Sequence, residues 1–201
     1  MAAATLALLF LVVVAFRNAQ TDHHLDGQGP LASTGDPHHQ EASAFDAVKG
    51  GPWTLGYQLC LFQGDQPAVI ESVAPTKTVG DGFRFLGAQV RQFAPTRSHT
   101  PILSLDGYPP ALPDTLHPAK GFSVTTPCSK NGLPPTYTEL LIGFDRASTA
   151  GGGGWRGIDV TYATGGRRHV VTLGYDILIC GSAVTDEPHL CGPAPSSLPS
   201  G

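Results

Sequence analysis

Ile158-Asp-Val-Thr-Tyr162-Ala-Thr-Gly165-Gly166-Arg-Arg168-His-Val-Val-Thr-Leu173-Gly-Tyr175-Asp-Ile-Leu-Ile179 is the stretch that decides how this chain folds. Apolar residues recur at every second position on both sides of a glycine pair. Ile158, Val160 and Tyr162 precede it, and Val171, Leu173, Tyr175, Ile177 and Ile179 follow it. In an extended strand successive side chains point to opposite faces, so this alternation gathers the apolar side chains on one face. Two adjacent glycines adopt without penalty the positive φ that a tight hairpin turn demands. The pattern predicts an antiparallel hairpin pairing Ile158–Tyr162 with Arg168–Leu173, one face buried and the other wet.

The same reading extends outward. Leu55, Tyr57, Leu59 and Leu61 alternate, as do Leu140, Ile142 and Phe144. Val69–Val73 reads as a strand ended by Pro75, Ile102–Leu105 as one closed by Asp106-Gly107, and Phe122–Thr125 as another. Gly80-Asp81-Gly82 is a turn signal. After it Phe83 and Phe85 share one parity while Leu86, Ala88 and Val90 share the other, so a β-bulge is expected near Gly87. No long helical period follows Trp53. The run Gly151–Gly154 leads into Trp155 and a strand, without the Gly-Lys-Ser/Thr and helix of a phosphate loop. About seven short strands across residues 53–181 predict an all-β fold, an immunoglobulin-like β-sandwich, with a small barrel as the alternative.

The remainder divides by composition. Ala2–Phe16 is apolar apart from Thr5. It is shorter than the roughly 20 residues that span a bilayer and matches the core of a signal peptide. No Lys or Arg precedes it, Arg17 follows it, and Val13-Val14-Ala15 is a weak cleavage site. Residues 1–17 are therefore expected to be a cleaved signal peptide or a retained membrane anchor. Residues 18–52 are polar and His-rich without a sustained period, and are expected to be a disordered linker, with a helical turn or two over Ala42–Val48. Residues 182–201 are expected to form a C-terminal tail.

The four cysteines, Cys60, Cys128, Cys180 and Cys191, are an even count in a chain with an export segment, which predicts two disulfides. Cys60 and Cys180 are each out of phase with the apolar face of their strand. The favoured pairing joins Cys60 to Cys180, first strand to last, with Cys128 to Cys191. The alternative is Cys60–Cys128 with Cys180–Cys191. No close cysteine pair suggests a structural zinc site.

Candidate chemistry is sparse. Net charge is -4 and the densest basic spot is Arg167-Arg168, too little to neutralise a nucleic-acid backbone. Gly121-Phe122-Ser123-Val124-Thr125 lacks the closing Gly of a nucleophile elbow. His99, His117 and His169 stand in no recognisable catalytic context. Nothing in the sequence pairs any two of the carboxylates Glu71, Asp106, Glu139, Asp145, Asp159 and Asp176 as an acid and base. His23, His24, His38 and His39, near Asp22, Asp26 and Asp36, are a weak candidate metal-binding set. Tyr108, Pro109, Pro110 and Leu112 lie in a proline-rich stretch that reads either as a preordered loop docking a partner or as a rigid connection between strands. The expected function is an exported or membrane-anchored domain without enzymatic activity and without cofactor, binding a protein or cell-envelope component. Metal handling by the linker histidines and a hydrolase with an unrecognised site are the alternatives.

The segment Gln66-Pro-Ala-Val-Ile-Glu-Ser-Val-Ala-Pro-Thr-Lys-Thr-Val-Gly-Asp-Gly-Phe-Arg-Phe-Leu-Gly-Ala88 and the closing Leu178-Ile-Cys-Gly181 resemble uncharacterised secreted or membrane-anchored proteins of actinobacteria. The resemblance covers about residues 53–181 and rests on strand and turn residues. It implies an extracytoplasmic compartment and an Ig-like β domain, and lends no functional residues.

Overall fold

The computed structural model describes residues 29–33, 41–45, 51–62, 66–96, 100–102, 104–129, 135–147, 151–182, 184 and 191. Within them the alternating stretches become strands: β1 (Leu31–Ser33), β2 (Glu41–Phe45), β3 (Trp53–Leu61), β4 (Ala68–Pro75), β5 (Val79–Gly80), β6 (Phe83–Phe93), β7 (Ser104–Asp106), β8 (His117–Pro118), β9 (Ser123–Val124), β10 (Tyr137–Arg146), β11 (Gly153–Thr164) and β12 (Arg167–Ile179). They form two sheets. The first runs β1-β3-β10-β6-β8, with β7 on the other half of the β1 edge of β3. The second runs β2-β12-β11-β4-β9, with β5 on β11. Pairing is antiparallel except that β2 lies parallel to β12. The all-β sandwich expected from the sequence is the architecture observed.

The hairpin that anchors the reading is β11–β12. Ile158 lies opposite Leu173, Val160 opposite Val171 and Tyr162 opposite His169. Gly165 and Gly166 close it with φ of 55° and 74°, the left-handed values that only glycine adopts freely. The parity switch near Gly87 is also real: Gly87 faces Gly143 while Phe85 faces Phe144, so Leu86 is the extra residue of a β-bulge.

The inner faces meet in one core. Leu55, Leu59, Leu140, Ile142 and Phe144 of the first sheet lie against Ile70, Trp155, Ile158, Val160, Leu173 and Ile177 of the second. Fully burying each such side chain contributes about 1.5–3 kcal/mol before entropy is counted. Phe144 meets Trp155 edge-on, ring centroids 5.2 Å apart, and stacks on Trp53 at 5.7 Å. At the centre the Tyr57 hydroxyl and the Trp155 indole N–H are buried. Burial pushes the Tyr57 hydroxyl far above its ordinary range, the neighbouring indole N–H pulls the other way, and the two groups miss hydrogen-bond geometry.

Three expectations are corrected. Leu31–Ser33 and Glu41–Phe45 fall within the segment read as a disordered linker, yet they are strands at the edges of the two sheets, and Leu31 is buried in the core. The helical turns expected over Ala42–Val48 are replaced, across the described residues 42–45, by extended chain paired with β12. The cysteines pair as Cys60–Cys128 and Cys180–Cys191, with Cα separations of 4.8 and 5.3 Å. The favoured Cys60–Cys180 link is absent because β3 and β12 belong to different sheets and neither cysteine points between them. Each cysteine is out of phase with its inner face, so the two stand on opposite outer sides of the sandwich.

Candidate functional site

The first sheet carries a third, irregular layer. Residues 100–102 and 104–116 cross its outer face as a strap. Two glycines make the seat: a Cβ at Gly143 would collide with the ring of Tyr108, and one at Gly56 with the Ile102 carbonyl and the Glu139 carboxylate. The Thr54 hydroxyl donates to the Gly107 carbonyl at 2.6 Å, and the Gly107 N–H donates to the Pro52 carbonyl at 2.7 Å. Of the sequence's proposed partner loop, Tyr108 and Leu112 are half-buried, Pro110 is buried and Pro109 is exposed. Of these, the Tyr108 ring lies against the chain's own sheet, at Gly143.

Beneath the strap lies a buried ionic cluster. Arg91 donates through Nε to Glu139 Oε2 at 2.7 Å, through Nη1 to Asp114 Oδ2, and through Nη2 to the Thr100 carbonyl at 3.0 Å. The Ile102 N–H donates to the other Glu139 oxygen at 2.6 Å. The Arg91 guanidinium also sits 4.2 Å from the Phe93 ring centroid. Burial raises the Glu139 pKa above the ordinary carboxylate value, and Arg91 pulls against that rise. The Arg91–Glu139 pair joins β6 to β10 within the sheet, and the bonds to Asp114, Thr100 and Ile102 tie the strap to that pair, so the cluster is a fastening. It was not visible in the sequence, where Arg91, Asp114 and Glu139 are far apart.

Of the other carboxylates that the sequence left open, Asp106 is exposed on β7 and the remaining four are held in structural bonds. Asp145 accepts from Arg84, Asp176 from Arg156, Asp159 from the Thr172 hydroxyl and Glu71 from Arg168. His117 lies against Phe122 and His169 stacks on Tyr162, with ring centroids 5.8 and 5.4 Å apart. His23, His24, His38, His39 and His99, and the apolar run Ala2–Phe16, lie outside the described residues. Among the described residues no three His, Cys, Asp or Glu side chains gather as a metal site.

Among the described residues a recess lies on the outer face of the second sheet. It is an open groove of about 580 Å³ lined by Val69, Glu71, Ser72, Lys120, Thr161 and Arg168, with Ile70 and Gly121. Register builds its floor: Thr161 lies opposite Ser72, and Ala163 opposite both Val69 and Arg168. One wall is the turn Ala119–Phe122, closed by Phe122 N–H to the Ala119 carbonyl at 3.1 Å. That turn is pinned to both sheets, by Ala119 N–H to the Ala88 carbonyl at 3.2 Å and Gly121 N–H to the Ile70 carbonyl at 2.7 Å. Ala119 is buried and Lys120 is exposed, so the turn displays its ammonium from a fixed base. The other wall is Arg168, whose Nε donates to Glu71 Oε2 at 2.6 Å across the floor.

No protein-family profile matches the chain, and no curated protein does. Among solved structures the chain is similar to the CooA pilin subunit from enterotoxigenic Escherichia coli, at 10% identity and a TM-score of 0.38, over 76% of this chain and 97% of that one.

Proposed function

We propose that this protein is an exported, non-enzymatic domain that works outside the cytoplasm by binding a protein or a cell-envelope component. Its N-terminal apolar segment delivers it, as a cleaved signal or a retained membrane anchor. One observation carries the reading: all four cysteines are paired, in two disulfides, and no thiol is left free. Disulfides of this structural kind form and persist in oxidising compartments. Binding rather than catalysis is supported by the engagement of Glu71, Glu139, Asp145, Asp159 and Asp176 in ion pairs and hydrogen bonds within the fold. The groove on the second sheet offers a surface for a ligand.

The test is intact-mass analysis of the protein recovered from its natural host, with and without reduction. The expected result is a gain of two hydrogens for each disulfide on reduction. A mass showing removal of the N-terminal run identifies a cleaved signal, and the full mass in a membrane fraction identifies an anchor. Four free thiols in a cytosolic fraction would overturn the proposal.

A further inference from the structure

We infer that the groove between Lys120 and Arg168 binds an acidic saccharide, a polyhydroxylated chain bearing carboxylates. This rests on the reading of the protein as an exported binding domain and names the ligand class of that surface.

Four features of the groove converge on such a ligand. First, its cationic groups have capacity to spare. Among the described residues no carboxylate pairs with Lys120, and Arg168 engages Glu71 through Nε alone, leaving both terminal amino groups. Arg168 is 73% exposed at its side chain. Two cations against one carboxylate make the groove locally positive in a chain of net charge -4. Charge-assisted bonds to a carboxylate are the strongest polar contacts such a surface makes.

Second, the floor supplies hydroxyls. Ser72 and Thr161 lie side by side in register across β4 and β11, between the two walls. With the Glu71 carboxylate they present donors and acceptors together, which matches sugar hydroxyls that both give and accept hydrogen bonds. Third, exposed Val69 adds a small apolar strip for the C–H face of a sugar ring.

Fourth, main-chain recognition is closed beside the 119–122 turn. An extended peptide adding to a sheet edge draws its affinity from unpaired backbone groups. Over Ala68–Ile70 those groups of β4 are already used: β9 pairs with Ala68 and Val69, the Ile70 N–H donates to the Phe122 carbonyl, and the Ile70 carbonyl accepts from Gly121. What the groove offers is side-chain chemistry, and that chemistry selects a polyol with a negative charge.

The experiment is calorimetric titration of the disulfide-intact exported protein with a trisaccharide of hexuronic acid. The same trisaccharide as its methyl ester and a short polyaspartate peptide serve as the other arms. The acidic trisaccharide is expected to bind, with affinity falling as salt is raised, and the methyl ester to bind at least tenfold more weakly. Lys120→Ala and Arg168→Ala are expected to weaken binding about tenfold each, the loss of one charge-assisted hydrogen bond, and Lys120→Arg to retain it. Both residues are exposed, and an unchanged circular-dichroism melt will show that the variants fold. Equal binding of polyaspartate, equal binding of the neutral ester, no binding of the acidic trisaccharide, or unchanged binding by Lys120→Ala would each overturn the assignment. Cell-envelope extracts tell this failure from failure of the binding reading: a partner captured equally by wild type and Lys120→Ala leaves the binding domain standing and removes the groove from it.

Discussion

The ring of Tyr108 lies against Gly143, a β10 residue on whose Cβ position the ring itself encroaches. A tyrosine from an irregular strap thus occupies the place of a strand side chain. The strap and the first sheet fit only because β10 lacks a side chain there. Gly143→Ala should cost about 1–3 kcal/mol, the usual range for forcing extra volume into a packed site. The loss is expected in chemical-denaturation midpoints, together with faster proteolysis within residues 100–116. Unchanged proteolysis would mean that the strap is held by the ionic cluster alone.

The two disulfides should differ in both accessibility and worth. One sulfur of the first bridge, Cys60, is buried at 2% exposure beside a half-buried Cys128, whereas Cys180 and Cys191 are both half-buried. Limited reduction followed by alkylation and peptide mapping should label Cys180 and Cys191 first. The sequence separations are 68 and 11 residues. In the chain-entropy account, removing Cys60–Cys128 should then cost about 4 kcal/mol and removing Cys180–Cys191 about 3 kcal/mol. Double serine variants in a urea titration test that order.

Glu139 should show its burial in pH dependence. Replacing it by Gln removes one of the two anions on Arg91 and leaves Asp114 to pair the guanidinium, so the expected cost is about 1–3 kcal/mol, that of a weakened charged hydrogen bond. The folded-state pKa of Glu139 is raised, so the folded chain binds a proton more readily than the unfolded chain does. Stability attributable to this group therefore falls as pH rises from the ordinary glutamate value through the raised one. The gap in unfolding free energy between wild type and Glu139→Gln should accordingly be larger near pH 4.5 than near pH 7. A gap that widens toward neutral pH would contradict the direction of the shift.

Tyr57→Phe should stabilise the protein. The hydroxyl is buried without a hydrogen-bond partner, and such a group costs about 1–3 kcal/mol of desolvation. Removing it leaves the ring and its edge-on contact with Tyr175, centroids 6.2 Å apart. The expected outcome is a higher melting temperature, and a lower one would reveal a bond that the hydroxyl makes.

Local features were legible. The β11–β12 register, the Gly165-Gly166 turn and the bulge beside Gly87 all follow from side-chain parity and backbone conformation within a few residues. The edge strands were not. Leu31–Ser33 and Glu41–Phe45 are only 3 and 5 residues long, too short to show a period in a polar stretch. What makes them strands is the edge of β3 or β12 waiting for a partner. The groove was equally hidden: Val69, Lys120, Thr161 and Arg168 meet only when β4, β11 and β12 lie side by side with the 119–122 turn against them.

The cysteines mark the boundary most clearly. The sequence by itself determined that Cys60 and Cys180 leave the apolar face of their strands, because alternation is a property of the single strand. Which cysteine each one meets was decided by the tertiary structure, because parity names a side of a strand and not the sheet to which that strand belongs. The same division holds for the whole molecule. Periodicity and turn chemistry determined strands, faces and an all-β sandwich. Sheet assignment, the buried Arg91–Glu139 fastening and the cationic groove came from contacts between residues distant in the chain, which no local pattern encodes.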